Sequence, residues 1–317
     1  MNTLYLHAFT LRSATHGVPM RVAHLDRDGE PRLAVATPEG WAPAADVTRL
    51  SDLLAGSEDP AAALAALTPG DAPVLDADPH LGPLLDRPGR IFCVGRNYVA
   101  HRDEFHNRPT EWPEVFLRLP STVTGPYADV PAPAGSDRFD FEGELGVVIG
   151  RGGRHISVAS AEDHVLGLCV VNDFTAREWQ HRGGQWTAGK NFDATLPVGP
   201  ALVTPDEVDW HDAALRTVVS GEELQSARTS QLIFSVAEQI AFISSWTALA
   251  PGDLIATGTP GGVGIARTPA RVLAPGDVVE VTVEGVGAIR NRIVADPAQP
   301  ASDHWSRIAG ESPIGRG

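Results

Sequence analysis

The segment Asp140-Phe141-Glu142-Gly143-Glu144-Leu145-Gly146-Val147-Val148-Ile149-Gly150 constrains this chain more than any other. Val147 to Ile149 reads as a strand, closed by Gly150. Alternate residues of a strand share a face. Glu142 and Glu144 therefore send two carboxylates to one side, while Leu145, Val147 and Ile149 line the other and pack into a core. Two like charges so close repel unless they share a proton or enclose a cation. The pattern hints at a metal site, although exposed glutamates at alternate strand positions also occur without one.

Gly (32) and Pro (26) are both abundant, which favours a turn-rich, β-rich architecture over a helical bundle. Up to about residue 86 the chain reads as a small α/β region. Arg21–Leu25 and Arg32–Ala36 are strands joined at the hairpin pair Asp28-Gly29, and Asp59-Pro60 opens a helix to Leu67. A Pro/Asp-rich connection, Pro69 to Pro88, follows. Residues 87–296 are dense in strand signals, and the polar tail 297–317 is expected to run over the surface. Thr175-x-x-Glu178 and Ser235-x-x-Glu238 read as capping boxes opening helices to about Arg182 and Trp246. Two Pro-Gly-Asp turns, at 251–253 and 275–277, feed strands.

The formal charge of -15 argues against nucleic acid and anionic membranes as partners. Cys93 and Cys169 lie in apolar runs and are expected to be buried and reduced. No leader-like pattern follows Met1–Tyr5 and no apolar run approaches membrane-spanning length, so a cytoplasmic protein is expected.

A third carboxylate, Asp173, ends the apolar run Leu168–Val171. Three carboxylates at one point suit a hard divalent ion, Mg²⁺ or Mn²⁺, with waters completing the shell. Taken alone, Asp173 reads more readily as a turn or cap residue. Lys190 is the only lysine in a chain whose other basic side chains are all arginine. It is either a loop lysine or a charge offered to a developing oxyanion. His101 and Glu104 are neighbours if their segment is helical, as a base oriented by a carboxylate or as a solvated face. Arg177 and Gln180 share a helix face past Asp173 and suit a substrate carboxylate or carbonyl, or plain surface polarity. The Gly-rich loop 257–264 either cradles an anion or is a tight turn.

In order, Gly95-Arg96-Asn97-Tyr98…His101…Glu104, Phe141-Glu142-Gly143-Glu144-Leu145, Asn172-Asp173-Phe174-Thr175-Ala176-Arg177-Glu178, Gly189-Lys190, Thr257-Gly258-Thr259-Pro260 and Glu284-Gly285-Val286-Gly287 resemble the fumarylacetoacetate hydrolase superfamily. The resemblance spans about residues 90 to 295. It implies an α+β, β-rich fold, with a mixed β-roll behind the small N-terminal region, and a homodimer. It further implies that Glu142, Glu144 and Asp173 bind Mg²⁺ or Mn²⁺, and that Lys190 is the active-site lysine. His101 and Glu104 would form the water-activating dyad on a lid, and Thr259 would contact substrate oxygens. Arg118 stands where many members carry lysine and is expected to bind a substrate carboxylate in its own way. Trp179, Trp186 and the loop 181–186 look specific to a subgroup.

The implied substrate is a small 2-oxo acid with a second carbonyl two carbons on, such as an acylpyruvate. The implied reaction is hydrolysis of its C–C bond to pyruvate, or a related 2-oxo acid, and a carboxylate. Decarboxylases, isomerases, tautomerases and dehydratases of the same superfamily share this chemistry and are the alternatives. An inactive metal-binding homologue is the second alternative, disfavoured by the full residue set.

Overall fold

A computed structural model describes residues 20–27, 30–70 and 81–297. The Asp28-Gly29 turn, the Met1–Tyr5 start, residues 71–80 of the connection and the tail from 298 lie outside them. The strands are β1 (Arg21–Arg27), β2 (Glu30–Thr37), β3 (Gly40–Pro43), β4 (Ile91–Gly95), β5 (Glu114–Arg118), β6 (Val123–Thr124), β7 (Val130–Ala132), β8 (Phe139–Asp140), β9 (Gly143–Ile149), β10 (Val165–Asn172), β11 (Thr175–Ala176), β12 (Leu196–Val203), β13 (Ala214–Val219), β14 (Glu222–Arg228), β15 (Leu254–Ala256), β16 (Val278–Val283) and β17 (Gly287–Ala295). The helices are α1 (Leu50–Gly56), α2 (Pro60–Ala65), α3 (Val99–Glu104), α4 (Arg177–Gln180), α5 (Thr187–Lys190) and α6 (Val236–Trp246).

A mixed ten-stranded sheet runs β3-β2-β1-β12-β10-β9-β15-β4-β5, with β6 beside β12. The N-terminal hairpin prolongs this sheet, because β1 pairs antiparallel with β12. A five-stranded sheet runs β14-β13-β16-β17-β7. Between the two sheets lies one core, where Leu145, Val147 and Ile149 of β9 share a cluster with Val281, Ile289 and the α6 residue Ile243. Val148 joins a second core with Leu33, Leu50, Leu53 and Cys169. Every residue of β9 is buried, so this strand is covered on both faces. Each such aliphatic side chain contributes about 1.5–3 kcal/mol of burial free energy.

Local signals account for the element ends. Ser235 Oγ accepts from Glu238 N–H (3.3 Å) while Ser235 N–H donates to Glu238 Oε2 (2.8 Å), and this box opens α6. Asp59 Oδ1 accepts from Ala62 N–H at 3.1 Å and starts α2 at Pro60. Both Pro-Gly-Asp turns close alike, with Asp253 and Asp277 accepting from the backbone N–H of Ala250 (2.8 Å) and Ala274 (2.9 Å).

The Thr175 box does not form. Thr175 pairs with Asp140 in the β8–β11 ladder, which keeps its backbone extended. Its hydroxyl donates to Asp173 O (3.0 Å), and Glu178 Oε1 accepts from Asp137 N–H (3.2 Å). The helix begins two residues later, at Arg177, and ends at Gln180. Strand pairing has overridden the local capping preference.

Candidate active site

Antiparallel register brings the acidic residues together. In the β9–β10 ladder Gly143 faces Asn172 and Glu144 faces Val171. One step further, Asp173 N–H donates to Glu142 O at 2.8 Å. Paired residues of a ladder share a face, so Glu142, Glu144 and Asp173 emerge on the same side. Each offers an oxygen, and these oxygens lie within 4.8 Å of one another. All three residues are buried. A slip of one residue would send both glutamates to the opposite face.

Three cations surround the carboxylates. Lys190 Nζ donates to Glu142 Oε2 (2.7 Å) and to Asp173 Oδ2 (2.6 Å). Arg177 reaches Glu142 Oε1 through Nη1 (2.6 Å) and Asp140 Oδ2 through Nε (2.9 Å). Arg118 donates through Nη1 to Asp173 Oδ1 and through Nη2 to Thr195 Oγ1 (2.6 Å). Lys190 is presented by α5, which lies so close to α4 that a Cβ on Gly189 would collide with the Gln180 backbone. The aromatic ring of Phe116 lies 5.1 Å from Nζ and adds a cation–π contact.

The three carboxylates are not equivalent. Burial pushes the Glu142 carboxyl up, but the charges of Lys190 and Arg177 outweigh it and hold the group below the usual range. Burial disfavours the Lys190 ammonium, yet Asp173 and Glu142 keep it charged and raise its pKa. Among the described residues no cation forms an ion pair with Glu144. Burial, then Asp173 and Glu142, drive its carboxyl well above the usual range, and the Lys190 charge and a 2.8 Å bond from Gly258 N–H to Oε2 only partly offset them. A cation among the three oxygens would remove that penalty. The all-oxygen donor set fits a hard divalent ion.

The Gly-rich loop 257–264 lies beside this cluster because β15 pairs antiparallel with β9, Ala256 facing Gly146. Three of its backbone N–H groups are taken by protein carboxylates. Gly258 binds Glu144, Gly262 binds Glu104 Oε1, and Gly264 binds Asp140 Oδ1 (2.8 Å). On α3, His101 Nδ1 lies 3.3 Å from Glu104 Oε2. His101 is buried.

The structure thus gathers Glu142, Glu144, Asp173, Lys190, Arg118, Arg177 and Gln180 in one place, with the His101–Glu104 pair at its side. Gln180 Oε1 accepts from Arg177 Nη1 (3.2 Å). Two residues depart from their expected contacts. Arg118 is bound to Asp173 and Thr195 with its side chain wholly buried, so in this structure it braces a carboxylate of the cluster. The Thr259 hydroxyl donates to Gly143 O (2.9 Å) and accepts from Gln225 Nε2 (2.8 Å), which ties the loop to β9. Asp140, two residues before Glu142, opens the acidic segment without a role in the sequence reading; it accepts from Gly264, Ile265 and Arg177. Asn97 was quoted only within a motif. It clamps Phe234 O (3.0 Å) and Thr257 O (2.8 Å), fixing α3 against the loop.

Residues 90–294 match the family model described as fumarylacetoacetate (FAA) hydrolase C-terminal. The human protein named oxaloacetate tautomerase, mitochondrial, is 44% identical over 211 residues, covering 66% of this chain and 67% of that protein. Among solved structures, a fumarylacetoacetate hydrolase from psychrophilic Exiguobacterium antarcticum is 32% identical with a TM-score of 0.78, covering 87% of this chain and 100% of that one. A 2-hydroxyhepta-2,4-diene-1,7-dioate isomerase from Mycobacterium marinum is 33% identical with a TM-score of 0.72, covering 88% and 99%.

Proposed function

The chain belongs to the fumarylacetoacetate hydrolase family, and on that premise we propose that it is a divalent-metal-dependent enzyme that shifts a proton beside the 2-oxo group of a small 2-oxo acid. The reading is a tautomerase or isomerase, with oxaloacetate as the first substrate to try, since the 44% identical relative is named for that activity. One observation carries the metal part: Glu144 is a buried carboxylate with two carboxylate neighbours and, among the described residues, no ion pair. Bound at Glu142, Glu144 and Asp173, Mg²⁺ or Mn²⁺ would supply a Lewis acid for the negative charge that develops on the 2-oxo oxygen.

This chain's own residues do the remainder. Among the described residues Arg177 Nη2 is buried without a hydrogen-bond partner, beside Gln180, which supports a role in taking a substrate carboxylate. Lys190 holds positive charge against Glu142 and Asp173 and stabilises an oxyanion. His101, oriented by Glu104, takes the proton from the substrate carbon and returns it. A buried floor keeps bulk water from quenching the intermediate.

Hydrolysis of a 2,4-dioxo acid, the reaction first expected, is the second reading. It is favoured by the same dyad, because a histidine oriented by a carboxylate also deprotonates water. The test is direct. The Mg²⁺-loaded protein should speed the keto–enol interconversion of oxaloacetate above the buffer rate, followed by loss of the enol absorbance. Pyruvate release from acylpyruvates would favour the second reading, and CO₂ a decarboxylase. A metal-loaded protein inert in all three assays defeats the proposal.

No helix among the described residues is long and apolar enough to cross a membrane. Cys93 and Cys169 are free and buried, in keeping with a reducing compartment. A cytoplasmic homodimer completes the proposal, and sedimentation and cell fractionation test it.

A further inference from the structure

Tyr98 immediately precedes α3 and is 2% exposed. Among the described residues its hydroxyl has no hydrogen-bond partner, although the oxygen is buried. Such a stranded donor destabilises a fold. Phenylalanine would supply the same ring without stranding anything, so packing does not explain the hydroxyl.

The surroundings fix where this residue sits. Asn97, its chain neighbour, donates to Thr257 O (2.8 Å) and accepts from Phe234 N–H (2.8 Å). Tyr98 itself bridges to Leu232. The residue after Thr257 is Gly258, whose N–H holds Glu144. The start of α3 is therefore clamped to the loop that holds the one triad carboxylate with no ion pair among the described residues. Burial, and then the Glu144 charge, raise the phenol above its ordinary range. It stays protonated and acts as a donor, not as a base.

We propose that the Tyr98 hydroxyl is a further binding and catalytic group, donating a hydrogen bond to the oxygen held beside Glu144. That oxygen belongs to water in the resting enzyme and to the 2-oxo group of the bound substrate. The proposal rests on the metal and 2-oxo acid reading given above. It assigns Tyr98 a share in stabilising the charge that develops on that oxygen, supplied from the segment that also carries His101.

Tyr98→Phe removes the hydroxyl alone. Melting of the metal-free variant should be unchanged or higher than wild type, and Mn²⁺ affinity by titration calorimetry should stay within about twofold. Pyruvate binding to the Mn²⁺-loaded variant should weaken about tenfold, the loss typical of one buried hydrogen bond. A second readout needs no variant at this position. The chain has three tyrosines, so fluorotyrosine labelling gives a simple ¹⁹F spectrum. With Mg²⁺ present, pyruvate should shift the Tyr98 signal and leave that of Tyr127 in place, the latter assigned through Tyr127→Phe. Equal pyruvate affinity in Tyr98→Phe and wild type, or a Tyr98 signal that ignores pyruvate, overturns this proposal alone. Wild-type protein that takes up neither Mg²⁺ nor Mn²⁺ overturns the metal reading and this proposal with it.

Discussion

Asp140 and Glu144 are four residues apart, both buried, and treated in opposite ways. Asp140 accepts from the backbone N–H of Phe141 (2.9 Å), Gly264 (2.8 Å) and Ile265 (3.1 Å), and from Arg177 Nε (2.9 Å). Glu144 has one backbone bond and two anionic neighbours. The difference teaches that burial of a carboxylate does not itself mark a working group. What marks it is the number of donors the fold withholds. The Asp140 corner is finished by the protein, and the Glu144 corner is left for something that arrives.

Glu144→Gln should break the contrast most visibly. Turnover should fall by about three powers of ten or more, the several kcal/mol a Lewis acid supplies. Melting of the metal-free protein should rise, because a carboxyl that folding forces to take up a proton is gone. Calorimetric Mn²⁺ titration and a thermal melt check both halves. Unaltered metal-dependent turnover would refute the assignment of the triad. His101→Ala sharpens the comparison from the side of the base. It should lower the rate by roughly two to four powers of ten while metal affinity holds, and a parallel fall in metal affinity would count against the role.

Asp140→Asn probes the finished corner. It leaves Arg177 with one carboxylate partner where it had two, and should cost about 3–5 kcal/mol, read as a lower denaturation midpoint. A variant as stable as wild type would erase the distinction drawn here.

The smallest effect lies in the N-terminal region, at His24, another polar group whose needs are met internally. Its Nδ1 donates to Pro83 O (2.9 Å) and its Nε2 accepts from Leu50 N–H (2.9 Å), which defines the neutral ring. Burial lowers its pKa from 6.5. The unfolded ring therefore takes up a proton at a higher pH than the folded one. Its contribution is whole above about pH 6.5, declines as pH falls through the lowered folded value, and then levels off. Melting temperature against pH, compared between wild type and His24→Asn, measures it. Identical slopes below pH 6.5 would show that His24 plays no part.

Much of the site was legible because its signals are local or periodic. The period of two placed Glu142 and Glu144 on one face, and i, i+3 spacing joined His101 to Glu104. Lys190 stood out because no other lysine competes with it. What stayed hidden depends on partners far along the chain. The bonds from Gly264 and Ile265 to Asp140 span more than 120 residues. Arg118 reaches Asp173 across 55 positions, which no spacing rule near Arg118 announces. The Thr175 box was misread for the same reason, since pairing with Asp140 decides the backbone there. The prolongation of the sheet by β1 likewise rests on a partner strand far along the chain.

The segment from Gly258 to Ile265 acts as a splint, holding a glutamate of the central strand, a glutamate of the base-bearing helix and Asp140 at set spacings. Every one of those grips is donated by a main-chain amide, so exchanging the loop's own side chains leaves the donors in place. Gly262 adopts φ +102°, and any added Cβ would strike Leu224 O. An engineer who wishes to alter the separation between proton shuttle and charged floor while keeping its carboxylates must therefore lengthen or shorten the loop, because the donors that set the spacing belong to the backbone.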